Sequence, residues 1–160
     1  MEQPFSHVDA DGKLSMVDVS AKALTRREAR ASCSVVTQLD VEHLGLGANE
    51  FDVIFAARLA GVLAAKQTAA LIPLCHPLAL DDIHVDVVAS EHGAQIVSSV
   101  VTVQRTGVEM EALTACAVAA LSLVNALVHD DPSARIDDLV LLRKAGGSSG
   151  EWGRQVAPLN

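Results

Sequence analysis

Cys75 and His76 stand side by side in LIPLCHPL (71–78), bracketed by Pro73 and Pro77. Cysteine and histidine ligate metals and form nucleophile–base pairs, so the stretch could be a metal site, a catalytic pair or a stiff turn. A metal centre needs about three protein ligands at workable spacing. No second His or Cys follows within two to four residues; His84 and His92 fall in or near a later hairpin, His43 and His129 at element ends. Neighbouring side chains also diverge, which disfavours a Cys–His pair. A stiff loop holding one ordered histidine fits best, and no metal is expected. In VEME (108–111) Glu109 and Glu111 are two apart. On an extended segment both carboxylates share one face and raise each other's pKa, which suits proton transfer. In a helix's first turn the same residues are simply favoured by the macrodipole. The glycine-rich GGSSG (146–150) reads either as a frayed linker or as a lid that contacts phosphate. It lacks the GK[ST] of a P-loop.

A chain of 160 residues, half of them hydrophobic, makes one domain with its own core, here taken as residues 1–160 with flexible ends at 1–14 and 145–160. Three Phe, one Trp and no Tyr leave that core to Ala, Val, Leu and Ile. Small side chains bury little area each, so part of the burial is expected against another subunit. The net charge of −8 argues against a nucleic-acid surface and leaves room for a local cationic site for a small phosphorylated ligand. Cys33, Cys75 and Cys116 are odd in number and without CxxC spacing, which reads as reduced thiols in a cytosol. The N-terminus has no apolar signal core, and the apolar region from Phe51 to Cys75 is interrupted by Asp52, Arg58, Lys66 and Gln67. A cytoplasmic protein without a membrane span is expected.

These residues must be positioned by strands and helices. Lys22, Arg26, Arg27 and Arg30 crowd into nine residues. Alternation of small apolar and polar residues predicts a strand over 29–39, and MVDVS before it a short extended segment. GLGANEF (45–51) is a loop, and a helix is expected from Asp52 to Ala70, stopped by Pro73 and apolar enough to be buried on more than one side. IHVDVV (83–88) and AQIVSSVVTVQR (94–105) form a hairpin about EHG. A slim, alanine-rich helix spans about 110–129, and IDDLVLL (136–142) is a last strand. The sum is α+β: an antiparallel sheet with two long helices on one face.

MVDVSAK (16–22), REARA (27–31), LIPLCHPL (71–78), TGVEMEALTA (106–115) and LLRKAGGSSG (141–150) resemble, in the same order, the MoaC family. The resemblance covers residues 6–152. It implies a ferredoxin-like fold and a hexamer built as a trimer of dimers, with pockets at subunit interfaces. It implies no cofactor. It also implies the activity of a cyclic pyranopterin monophosphate synthase of molybdenum cofactor biosynthesis, a lyase. That reaction turns (8S)-3′,8-cyclo-7,8-dihydroguanosine 5′-triphosphate into the cyclic pyranopterin phosphate and pyrophosphate. Carried over by position, His76, Glu109 and Glu111 are catalytic, and Arg27, Met110, Lys66 and Lys144 bind substrate.

The departures are specific. Where the family reads K-G-D-V, this chain has Glu50-Phe51-Asp52-Val53. Asn125 and Val128 replace an aspartate and a catalytic lysine, and Ser148 replaces the lysine of GGKSG, which the family holds near phosphates. Each lost charge-assisted hydrogen bond is worth roughly 1.5–3 kcal/mol. Three readings follow: a weakened or rewired enzyme of the family reaction, the same scaffold on a less phosphorylated substrate, or a non-catalytic paralogue assembling with itself or with an active homologue. Arg26, Arg105 and Arg143 are candidates to replace the missing cations.

Overall fold

The computed structural model describes residues 7–9, 11–41, 53–90, 92–148 and 150–155. Its elements run β1 (Thr25–Val36), α1 (Val53–Ala65), α2 (Thr68–Leu71), β2 (Asp82–Ser90), β3 (Gly93–Gln104), α3 (Glu109–Leu127), β4 (Arg135–Ala145) and β5 (Trp152–Gly153). The strands form one sheet in the order β2-β3-β1-β4-β5, with every pairing antiparallel. The βαββαβ order with β1 and β3 central is the ferredoxin-like arrangement, as the sequence led us to expect.

Period-2 alternation in β1 turns Ala29, Ala31, Cys33 and Val35 toward the helices, where all four are buried. The strand starts earlier than the apolar pattern suggests, at Thr25. After Thr25 its first residues are charged, so no alternation of polarity reveals them, but Thr25–Glu28 still pair with Val101–Gln104 of β3. The hairpin of β2 and β3 forms as read. The core of the described residues is aliphatic and small, with Ile96, Leu123 and Leu127 its largest members.

The helix expected over 52–70 is two helices. The Thr68 hydroxyl donates to the carbonyls of Ala65 (3.0 Å) and Ala64 (3.4 Å), groups that a continuing helix would use. The expected start at Asp52 and the 45–51 loop lie outside the described residues. α1 packs on α3 at Gly61, where a β-carbon would meet the Ala115 carbonyl oxygen at 2.8 Å. Within the chain α1 is buried on one side only: Phe55, Leu59 and Leu63, spaced four apart, remain 62%, 48% and 50% exposed. α3 is long and apolar enough to cross a membrane by length and composition, but half of it is buried against α1 and the sheet, as in a core helix. In the glycine-rich tail, Trp152–Gly153 pairs with Arg143 and Lys144, an edge strand that composition does not announce.

Candidate active site

The first turn of α3 and the Pro-bracketed loop face each other across a cavity of about 290 Å³. Its walls include Cys75, His76, Glu109, Met110 and Glu111, with Lys22 at one edge. The sequence thus names residues that the fold brings together. Of the two readings of VEME, strand face or first helical turn, the fold takes the helical one. Glu109 is the first residue of α3, so the two carboxylates diverge around a helix and reach the cavity from different directions. The turn places them in unlike surroundings: Glu111 is 4% exposed, while Glu109 is half-buried.

Burial is the main reason that the Glu111 pKa is pushed up to about 7, and the charge of Glu109 adds to it; a backbone hydrogen bond at the helix end opposes both. A carboxyl group poised there can give or take a proton at neutral pH. The Cys75 thiol lines the same cavity, and burial, then the Glu111 charge, push its pKa up. A thiol held neutral is a poor nucleophile. Asp18, held below the usual carboxylate range mainly by hydrogen bonding from Ser20, also feels the charge of His76. Among the described residues, no cluster of three or more His, Cys, Asp or Glu could hold a metal ion.

A second cavity of about 340 Å³ is lined by Lys22, Ala23, Thr25, Arg27, Gly147 and Ser148. Lys22 belongs to both cavities. The Arg27 guanidinium reaches the carbonyls of Arg105 (3.3 Å) and, at a long 3.5 Å, Gly146. It lies where any β-carbon on Gly147 would collide with it, and Gly147 has φ +72°, a conformation that glycine adopts freely. Arg27 Nε and Thr25 Oγ1 are buried and find no partner in the chain. Unpaired buried donors next to a cationic cavity are what an anion would satisfy.

Other positions fall elsewhere. Lys144 pairs at 3.3 Å with Glu109, which lines the first cavity. Lys66 lines a separate cavity of about 230 Å³ with Val62, Leu80, Asp81, Asp82 and Ile83, so the chain by itself does not bring it to His76. Ser148 is in the second cavity, and Asn125 and Val128 are exposed near the end of α3. Glu50 lies outside the described residues. Of the proposed replacement cations, Arg26 pairs with Glu28 (2.9 Å) and Arg143 with Glu28 (3.7 Å) and Glu151 (3.4 Å). Arg105 instead donates from Nε to the Lys22 carbonyl (3.1 Å), holding the backbone of the residue that joins the cavities. Sequence reasoning missed Lys22 as a site residue, although it closes the MVDVSAK motif; the signal was there, and only the fold gives it two cavities.

Residues 16–147 match the model of the MoaC family. Among curated relatives, the cyclic pyranopterin monophosphate synthase of Thermomicrobium roseum is 48% identical, covering 94% of this chain and 93% of its own. The protein of that name from Nocardioides is 46% identical, over 94% and 95%, and that of Streptomyces avermitilis 44%, over 94% and 89%. With this match over most of the chain, and residues of the motifs lining two cavities that share Lys22 on a ferredoxin-like fold, the chain belongs to the MoaC family.

Proposed function

We propose that the chain is a lyase of molybdenum cofactor biosynthesis acting on the cyclised GTP that its resemblance implies, and that it does so more slowly than a complete family member. One observation carries this reading: the cavity of His76, Glu109 and Glu111 shares Lys22 with the cavity of Arg27 and Ser148. The first suits a heterocycle undergoing proton transfer and the second its phosphates. His76 and Glu111 move protons, Met110 packs on the heterocycle, and Arg27 and Lys22 hold the anionic end. Lys66 and the ends of α1 and α3 reach a site only in an assembly, a homo-hexamer arranged as a trimer of dimers. The exposed Phe55, Leu59 and Leu63 support burial against another subunit. The small core points the same way.

The reduced rate follows from charge. Removing a general acid or base costs roughly 10²–10⁴ in rate, and Val128 and Ser148 supply no charge where the family has lysines. Ser148 in the second cavity specifically favours an alternative reading, a less phosphorylated substrate. The test compares turnover of the cyclised GTP by the wild type and by the combined Glu50→Lys, Asn125→Asp, Val128→Lys and Ser148→Lys variant. These groups act as a unit, so single reversions should do little. Slow wild-type turnover raised by the quadruple variant supports the proposal. Near-normal wild-type turnover overturns the slow rate. Tight binding of an unphosphorylated heterocycle without turnover favours the alternative substrate. Wild-type silence with turnover only in a mixed assembly with an active homologue makes the chain a non-catalytic partner.

A further inference from the structure

Resting on that reading of the site, we infer that Lys144 is a positioning residue that divides the work of the two pocket glutamates: by pairing with Glu109 it makes Glu109 the carrier of negative charge and leaves the proton to Glu111. Two carboxyl groups lining one cavity do not ionise independently, and their surroundings decide which keeps its proton. Here the surroundings differ sharply. Glu109 has Lys144 Nζ at 3.3 Å and a side chain 30% exposed to water. Its carboxylate folds back over Gly107, into space that a β-carbon there would occupy. Glu111 is 4% exposed, and no cation pairs with it among the described residues.

The other groups facing this cavity are His7 and Lys22 from the N-terminal segment and Cys75 and His76 from the Pro-bracketed loop. Lys144 comes from a different element, β4, where it pairs with Ala29 of β1 and Trp152 of β5. The sheet therefore sets the distance between the ammonium and the helix that carries both glutamates. With the ammonium gone, the Glu109 charge next to Glu111 is no longer offset, and Glu111 holds its proton to higher pH. Lys144 thus acts through Glu109, a different role from the direct substrate contact that the resemblance implies.

The test is the titration of Glu111 in the ligand-free protein, followed by NMR of ¹³C-labelled glutamate carboxyls and assigned with Glu111→Gln. Lys144→Gln should raise the midpoint by about half a unit or more, and Lys144→Arg should return it close to the wild-type value. An unchanged midpoint in a folded Lys144→Gln protein overturns the inference and leaves Lys144 a substrate contact, seen as a raised KM alone. Should Lys144→Gln fail to fold, Glu109→Gln serves: the inference requires its Glu111 midpoint to fall, and an unmoved midpoint refutes it. The titration needs no substrate, so its result is independent of whether the chain turns over the cyclised GTP.

Discussion

The two ends of α3 stand in sharp contrast. At the N-terminal end, Glu109 and Glu111 meet His76 and Lys22 around one cavity, and Lys144 pairs with Glu109. At the C-terminal end, Asn125 and Val128 lie exposed, at positions where the resemblance implies an aspartate and a lysine. A rise of 1.5 Å per residue puts Glu109 and Asn125 roughly 24 Å apart. One chain cannot bring both ends to one small molecule. Glu109 and Glu111 therefore sit where one chain closes a cavity, and Asn125 and Val128 lie far from it; of the substituted positions, Ser148 is one that the single chain does place beside Lys22 and Arg27.

The largest expected effect is on turnover at the first end. Glu111→Gln should lower conversion of the cyclised GTP by about 10²–10⁴-fold, measured in the quadruple-reversion background if the wild type is slow. Asn125→Asp alone should change turnover little. Equal effects at the two ends would break the contrast.

Stability gives the next effect, with the opposite sign. Folding raises the Glu111 pKa from 4.5 to about 7. The folded protein thus gains from a protonated Glu111 below pH 4.5, loses that advantage between pH 4.5 and 7, and bears the full cost above. At about 1.4 kcal/mol per unit this comes to ~3–4 kcal/mol. Glu111→Gln should therefore be more stable than the wild type at pH 8, and the two should converge at pH 4. Tm measured across this range checks it; a Glu111→Gln protein less stable at pH 8 would mean that the buried carboxylate is compensated.

Between the ends, Gly61 seats α1 on α3. A β-carbon there meets backbone at 2.8 Å and the side chains of Ala119 and Val85 at 3.2 Å. Gly61→Ala should cost about 1–3 kcal/mol by denaturant midpoint, through overpacking. The smallest effect belongs to the exposed end: Val128→Lys should shift stability by no more than about 0.5 kcal/mol in the isolated chain. A larger, concentration-dependent loss would show Val128 buried against a second subunit and sharpen the contrast between the ends.

The sequence by itself determined the fold class, the hairpin, the aliphatic core and the list of retained residues, because periodicity and long motifs are local. It carried His76, Glu109 and Glu111 to one site through the resemblance, and the fold puts them around one cavity. Local pattern could not say whether VEME is extended, since two glutamates suit a strand face and a first helical turn alike. Only the tertiary structure decided that, because packing of α3 on α1 and the sheet makes Glu109 a helix start and buries Glu111. The early start of β1 was hidden by charged residues whose strand is dictated by pairing with β3. The break after α1 falls where the Thr68 hydroxyl turns back onto the carbonyls of Ala64 and Ala65, and the edge strand at Trp152 pairs with β4. Lys22 joining two cavities, Lys144 paired with Glu109 and Lys66 kept apart from both depend on distances between elements far apart in the chain, and no spacing along the sequence records those.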